Sequence, residues 1–352
     1  MTGPTPRSDR FDSLSYALSR YRETPRRMSF RAQTAADAYV WQNEARAKLV
    51  DLIGPFPEKT IDLDARYETP VKKKGYSRRI VTFNTRLNLS AIGYLLIPDS
   101  VVKPSPAVIC LPGHGRGIDE IVGIDENGGE RDHYDGYQHD FALQCVDRGY
   151  VTLALEMLGF GHRRDAAACK AGGSTSSCQT ASGAALMLGE TMIGWRVWDV
   201  LKAIDLMSTR PEVDSDRIVL MGISGGGTVA LYAAALDLRV HSTVLSGSFC
   251  TFRDSIFSVN HCIDNYVPKI LQYFEASDVA SLIAPRRLFC ESGLEDPIFP
   301  KAGVDAAIFE TSRAFRAIGV EENFASAFFS AAHVFQGAAA FAQLKQWLAS
   351  KT

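Results

Sequence analysis

The chain has 352 residues, 46% hydrophobic and 22% charged, which is ordinary for a soluble globular protein and enough to bury a sizeable core. Lys+Arg 38 against Asp+Glu 40 leaves a net charge of -2, so neither nucleic acid nor an anionic membrane surface is an expected partner. No stretch approaches the roughly 18 apolar residues of a spanning helix. The opening "MTGPTPRSDRFDSLSYALSRYRETPRRMSF" lacks a signal-peptide core, so the expected location is cytoplasmic.

In chain order, "FDSLSYALSRYRE" and "AADAYVWQNEARAKLVDLIG" carry apolar residues at helical spacing, and Gly54-Pro55 ends the second helix. From about residue 65 the period shortens. "RRIVTFNT" and "SAIGYLLIPD" predict antiparallel strands, and "SPAVICLPG" predicts a buried strand bounded by prolines. Helix and strand then alternate. "HDFALQCVDRG" leads to the strand "YVTLALEML", and one long helix, "ALMLGETMIGWRVWDVLKAIDLMSTR", leads to the strand "RIVLMG". The helix "GTVALYAAAL" leads to "VHSTVLSGSF". The strand "RRLFCESG", the helix "AAIFETSRAFRAIG", the strand "ENFASAFF" and a terminal helix "AFAQLKQWLAS" follow.

Such alternation implies a parallel sheet covered by helices on both faces. The expected organisation is one α/β domain over residues 63–352, with a helical extension over 1–62 packed on it. Apolar stripes on the extension offer a surface through which copies of the chain would pair.

Three segments are longer than simple connections require: "GRGIDEIVGIDENGGERDHYDGYQ", "GFGHRRDAAACKAGGSTSSCQTASG" and the stretch from Cys250 to Pro285. The first two follow strands, where α/β folds build their sites. The acidic part of the first lacks the ligand spacing of a calcium loop and reads as a solvated turn. The seven cysteines include no C-x-x-C pair and fit no familiar zinc spacing. Several lie in apolar runs, as buried thiols do. Cys169 and Cys178 share one loop, where a disulfide is the alternative to two free thiols.

The chemistry-bearing stretch is "RIVLMGISGGGTVALYAAAL", residues 217–236. Gly222-Ile223-Ser224-Gly225-Gly226 fits G-x-S-x-G, with a predicted strand before it and a helix after. A strand-to-helix turn holds a serine hydroxyl exposed above the sheet and sets the free N–H groups of a helix start beside it. Ser224 is therefore the candidate nucleophile, with the Gly225 N–H as one oxyanion donor. Serine needs a base. His333 in "SAAHVFQG", between the last strand and the final helix, is the best of the seven histidines. His114, His133, His139 and His162 lie in earlier loops that face the same end. Asp296 in "LFCESGLEDPIFP", two residues beyond Leu294 after a strand end, is favoured over Glu291 and Glu295 to orient the imidazole. Its alternative role is to cap the helix that starts near Pro300. His114-Gly115-Arg116-Gly117, directly after a strand, supplies the second oxyanion donor through the Arg116 N–H, with Gly115 second in rank. His114, Gly115 and Arg163 are expected to touch substrate, and loop arginines such as Arg116, Arg163 and Arg164 to favour a polar or carboxylated acyl donor.

Together "LPGHGRG", "LEMLGFGHR", "MIGWRVWDVLKAIDLM", "GISGGG", "SGLEDPIFP" and "AAHVFQG" resemble the α/β-hydrolase superfamily. Within it the chain looks like the dienelactone hydrolase and acetyl xylan esterase-like branch, from about residue 65 to the end. The resemblance implies an α/β-hydrolase fold with a mostly parallel eight-stranded sheet. It also implies hydrolysis of small carboxylic esters through Ser224, Asp296 and His333, which stand in that family's order. The expected enzyme is a serine carboxylesterase with a small-molecule ester substrate and neither metal nor organic cofactor. A prolyl oligopeptidase-like serine peptidase or amidase, or an acyltransferase, is the alternative. The chain departs from true dienelactone hydrolases, which have cysteine where it has Ser224.

Overall fold

The computed structural model describes residues 11–59, 61–131 and 136–349. Two helices open it, α1 (Ser13–Glu23) and α2 (Ala35–Ile53). Then come β1 (Arg66–Tyr67), β2 (Val71–Lys72), β3 (Tyr76–Arg86), β4 (Leu89–Pro98) and β5 (Ser105–Leu111). Short helices α3 (Ile118–Ile121) and α4 (Phe141–Asp147) precede β6 (Val151–Leu155). Helices α5 (Ala166–Ala171), α6 (Cys178–Met187) and α7 (Met192–Ser208) precede β7 (Val213–Ile223). The rest runs α8 (Gly225–Leu236), β8 (Val240–Ser246), α9 (Ala276–Ser281), β9 (Arg287–Gly293), α10 (Lys301–Ile318), β10 (Phe324–Phe329) and α11 (Ala338–Ala349).

The strands form one sheet in the order β1-β3-β4-β6-β5-β7-β8-β9-β10, with β2 also on β3. From β6 through β5 to β10 every pairing is parallel, while β1 to β4 join antiparallel. The sheet thus has ten strands among the described residues, not the eight expected. Two of them, β1 and β2, are two-residue edge strands too short to show a period of two in the sequence.

Side chains leave the sheet alternately. Ala107, Ile109 and Leu111 of β5 join one buried cluster, and Val108 and Cys110 join the other. This is the periodicity of a strand covered on both faces. Helices α1 and α2 are tied to the body by directed bonds, α1 through the Tyr21 hydroxyl, which donates to Glu275 Oε1. Gln42 Nε2 donates to the carbonyls of Ser281 and Ala284, and Arg46 donates to those of Ala235 and Leu282.

The single long helix expected before β7 is two helices. Gly189 at φ +77° ends α6, and the Thr191 side chain accepts the Gly194 N–H to start α7. A glycine stop followed by a threonine cap is a recognisable break. Among the described residues no helix is long and apolar enough to cross a membrane.

Candidate active site

Strand β7 ends at Ile223, and the next residue turns the chain sharply into α8. Ser224 has φ 54° and ψ -127°, a conformation that side-chain-bearing residues rarely adopt. The turn closes because its neighbours lack side chains. A Cβ on Gly226 would lie 2.0 Å from the Leu111 carbonyl oxygen, and one on Gly222 would lie 2.5 Å from the Gly226 backbone. The Ser224 N–H donates to the Ser246 carbonyl at 3.0 Å, fixing the turn to β8. Gly225 opens α8, where amides have no intrahelical acceptor.

Ser224 and His333 line one pocket of about 310 Å³, with His114, Tyr137, Asn260, His261, Cys262 and Ile298. His333 follows β10 and its Nδ1 lies 2.7 Å from Asp296 Oδ2. Asp296 follows β9, and its Oδ1 accepts the amides of Ile298 and Phe299 at 2.8 and 3.1 Å. It therefore caps the turn before α10 and holds the imidazole as well, one oxygen for each task. Of its rivals, Glu295 is exposed. Glu291 is buried and accepts the Ser246 hydroxyl and the Gln336 and Gly337 amides, which anchors the segment carrying His333.

Sequence reasoning missed Tyr137. Its ring stacks on His333 at 5.3 Å and 25°, and Phe299 stacks on the same imidazole at 5.7 Å and 18°. The Tyr137 hydroxyl donates to the His114 carbonyl at 2.7 Å, and Tyr137 shares the pocket wall with Ser224. Burial pushes this phenol far above its ordinary range. It stays protonated and acts as a fixed dipole between the serine and the loop after β5.

That loop does not present all the groups expected of it. The Arg116 N–H donates to Glu120 Oε2 at 3.1 Å and its guanidinium to the Ile124 carbonyl, so Arg116 is not an oxyanion donor in this geometry. The cause is Glu120, four residues on, whose carboxylate captures the amide. The same carboxylate fills the space beside Gly115, which does not line the pocket. Arg163 is also displaced from its expected place. It donates to Asp199 Oδ2 at 2.6 Å and borders a different cleft of about 1010 Å³ with Arg164 and Trp195. A buried carboxylate drew the guanidinium away from the serine. His162 pairs with Asp119 beside that second cleft, and His133 lies outside the described residues.

His114 does line the pocket. A Cβ on Gly225 would lie 3.4 Å from both His114 Cε1 and Nδ1, so this edge of the ring faces the start of α8. The other edge, Nε2, lies 3.2 Å from Asp264 Oδ2, and Arg196 Nη1 lies 2.6 Å from the same oxygen. Burial alone would lower the His114 pKa, but its hydrogen bonds to Asp264 and Cys178 outweigh that and raise it to about 9. It is an imidazolium at neutral pH. Burial likewise opposes ionisation of Asp264, and Arg196 with His114 holds it well below its ordinary value. Cys178 belongs to this cluster, whereas Cys169 is exposed with its sulfur on the Arg164 carbonyl, and the two do not form a disulfide.

The chain matches the model of the Abhydrolase family over residues 7–328. It belongs to the Abhydrolase family. This abhydrolase is 28% identical over 323 residues to "Putative hydrolase YtaP" of Bacillus subtilis (strain 168), across 87% of this chain and 99% of that one. In structure it is similar to a "putative acetyl xylan esterase" from Bacteroides fragilis, with a TM-score of 0.77 at 21% identity, covering 92% and 84% of the two chains. It is also similar to a glucuronoyl esterase from Solibacter usitatus, with a TM-score of 0.67 at 15% identity, covering 94% and 100%. At these identities the likeness is one of fold: an α/β-hydrolase sheet with its helices.

Proposed function

We propose that this abhydrolase is a serine carboxylic-ester hydrolase that cleaves small, acetyl-type esters through Ser224, His333 and Asp296. The observation that carries the reading is the 2.7 Å contact of His333 with a buried Asp296, on the wall of the pocket that holds the Ser224 elbow. The names of the esterases that share the fold point the same way.

Ser224 Oγ attacks the ester carbonyl while His333 Nε2 takes its proton. Asp296 keeps the Nδ1 proton in place and balances the imidazolium that forms. The Gly225 N–H donates to the developing oxyanion. The charged His114 ring, whose Nδ1 edge faces Gly225, is the second donor in place of Arg116. His333 then protonates the leaving alcohol, and water enters by the same route to release the acid. In this reading residues 63–352 carry the chemistry, and the helices of 1–62 extend that domain.

The test is a hydrolysis panel of p-nitrophenyl acyl esters, acetylated sugars and short peptide amides, with Ser224→Ala as blank. Turnover of short acyl esters supports the proposal. Amide turnover without ester turnover overturns it.

A further inference from the structure

Next to the pocket, two thiols from distant parts of the chain meet. Cys178 opens α6 and is buried, while Cys262 is half-buried and lines the pocket with Ser224. Their sulfurs lie within 4.8 Å of each other, and Cys178 Sγ lies 3.1 Å from Asp264 Oδ2. Arg196 Nη2 lies 3.4 Å from Cys178 Sγ, and His114 Nε2 lies 4.0 Å from it. With Asp264 these groups form a buried set of ligand-type atoms. The Arg196 guanidinium already brings a positive charge to this set, bonding both Asp264 Oδ2 and Cys178 Sγ. What remains is a dithiol beside two cationic groups, with the Asp264 carboxylate touching both of them and Cys178.

We infer that Cys178 and Cys262 are an oxidisable pair, and that a disulfide between them reshapes the Ser224 pocket and slows turnover there. The neighbouring Cys262 thiol, with His114 and Arg196, outweighs burial and the Asp264 charge and brings Cys178 down to about 5; the Cys262 thiol is raised correspondingly. The thiolate is the reactive form of cysteine. Cys110 and Cys145 provide the contrast inside the same molecule. Their sulfurs lie 3.8 Å apart and, like Cys178, both are fully buried, but neither of that pair lines the pocket as Cys262 does, and burial raises the Cys110 thiol well above its ordinary value. Proximity alone therefore does not select a pair.

The oxidant is hydrogen peroxide, which reaches the pair from the Cys262 side, where Cys262 lines the pocket and Cys178 is buried behind it. The Cys178 thiolate attacks one peroxide oxygen, forming an S–O bond and breaking the O–O bond, and hydroxide leaves. The Cys262 sulfur then attacks Cys178. The S–S bond forms, the S–O bond breaks, and the departing oxygen leaves as water with the Cys262 proton. Closing the sulfurs to roughly 2.05 Å draws Cys262, with its neighbours Asn260 and His261, toward α6. A misplacement of about 1 Å beside reacting groups can cost on the order of a hundredfold in rate.

The test treats the intact protein with hydrogen peroxide and maps linked peptides by mass spectrometry without reduction. The effect on turnover rests on the esterase reading; the linkage does not, so the two fail separately. The expected result is a Cys178–Cys262 cross-link with Cys110 and Cys145 still free. Ester turnover should drop by on the order of a hundredfold, be restored by dithiothreitol, and be insensitive to peroxide in Cys178→Ser and Cys262→Ser, each compared with its own untreated rate. A Cys110–Cys145 link forming as readily, a stoichiometric zinc ion released from the two thiols, or a cross-linked protein with undiminished turnover would each overturn the inference.

Discussion

Asp296 holds His333 with one carboxylate oxygen and the amides of Ile298 and Phe299 with the other, so the group that orients the imidazole is itself locked by the turn it caps. Asp296→Asn separates these tasks. The amide oxygen can still accept both N–H groups, while its NH₂ meets Nδ1 and forces the wrong tautomer. We predict a loss in kcat of about 10⁴ with little change in thermal stability. Parallel kinetics and calorimetry check it, and a variant that melts early would mean that the capping role dominates.

Tyr137 supports the site from the opposite side. Tyr137→Phe keeps the ring on His333 but deprives the His114 carbonyl of its donor, which should cost about 1 kcal/mol in urea unfolding. Tyr137→Ala removes the stacking as well and should reduce kcat far more than the Phe variant does. Equal kinetic losses in the two would show that the hydroxyl, not the ring, is what turnover needs.

His114 gives a pH signature. Its pKa is raised to about 9, so the ring is charged below that value and neutral above it. As a donor to the oxyanion it should make kcat fall as pH rises through about 9, and His114→Gln should remove that alkaline limb. The same shift carries a sign for folding. A raised pKa stabilises the fold fully below the unfolded value of about 6.5, and that contribution disappears as pH rises through about 9. The stability gap between wild type and His114→Gln should therefore narrow from pH 6 to pH 10, read from melting curves.

The elbow sequence was readable because each of its features is local: a strand, a serine flanked by glycines, a helix. The pocket partners His333 and Asp296 were readable for a related reason, as each stands directly beyond a strand end. Tyr137 was not, because it sits 87 positions before Ser224 in a long segment with no periodicity, and only the fold brings it to the serine. Arg116 and Arg163 show the other limit. Which way an amide or a guanidinium turns was decided by Glu120 and Asp199, carboxylates whose placement depends on packing. The break between α6 and α7 did leave a trace, since "LGET" offers a glycine stop two residues before a threonine cap.

Glycines divide sharply by what surrounds them. Gly226→Ala sets a methyl 2.0 Å from the Leu111 carbonyl and should destabilise by roughly 1–3 kcal/mol or more. Gly183, within α6, has nothing within 4 Å of a Cβ, and Gly183→Ala should stabilise by about 0.5–1 kcal/mol. Chemical denaturation of the two variants side by side checks the opposite signs.

Turnover depends on Ser224 being a nucleophile activated within its pocket. Intact-mass analysis after exposure to a serine-directed fluorophosphonate measures this most directly. We predict one adduct per chain, mapped to Ser224, absent in Ser224→Ala and much slower to form in His333→Gln. A folded protein that takes up no probe, or takes it up at another residue, would contradict the account.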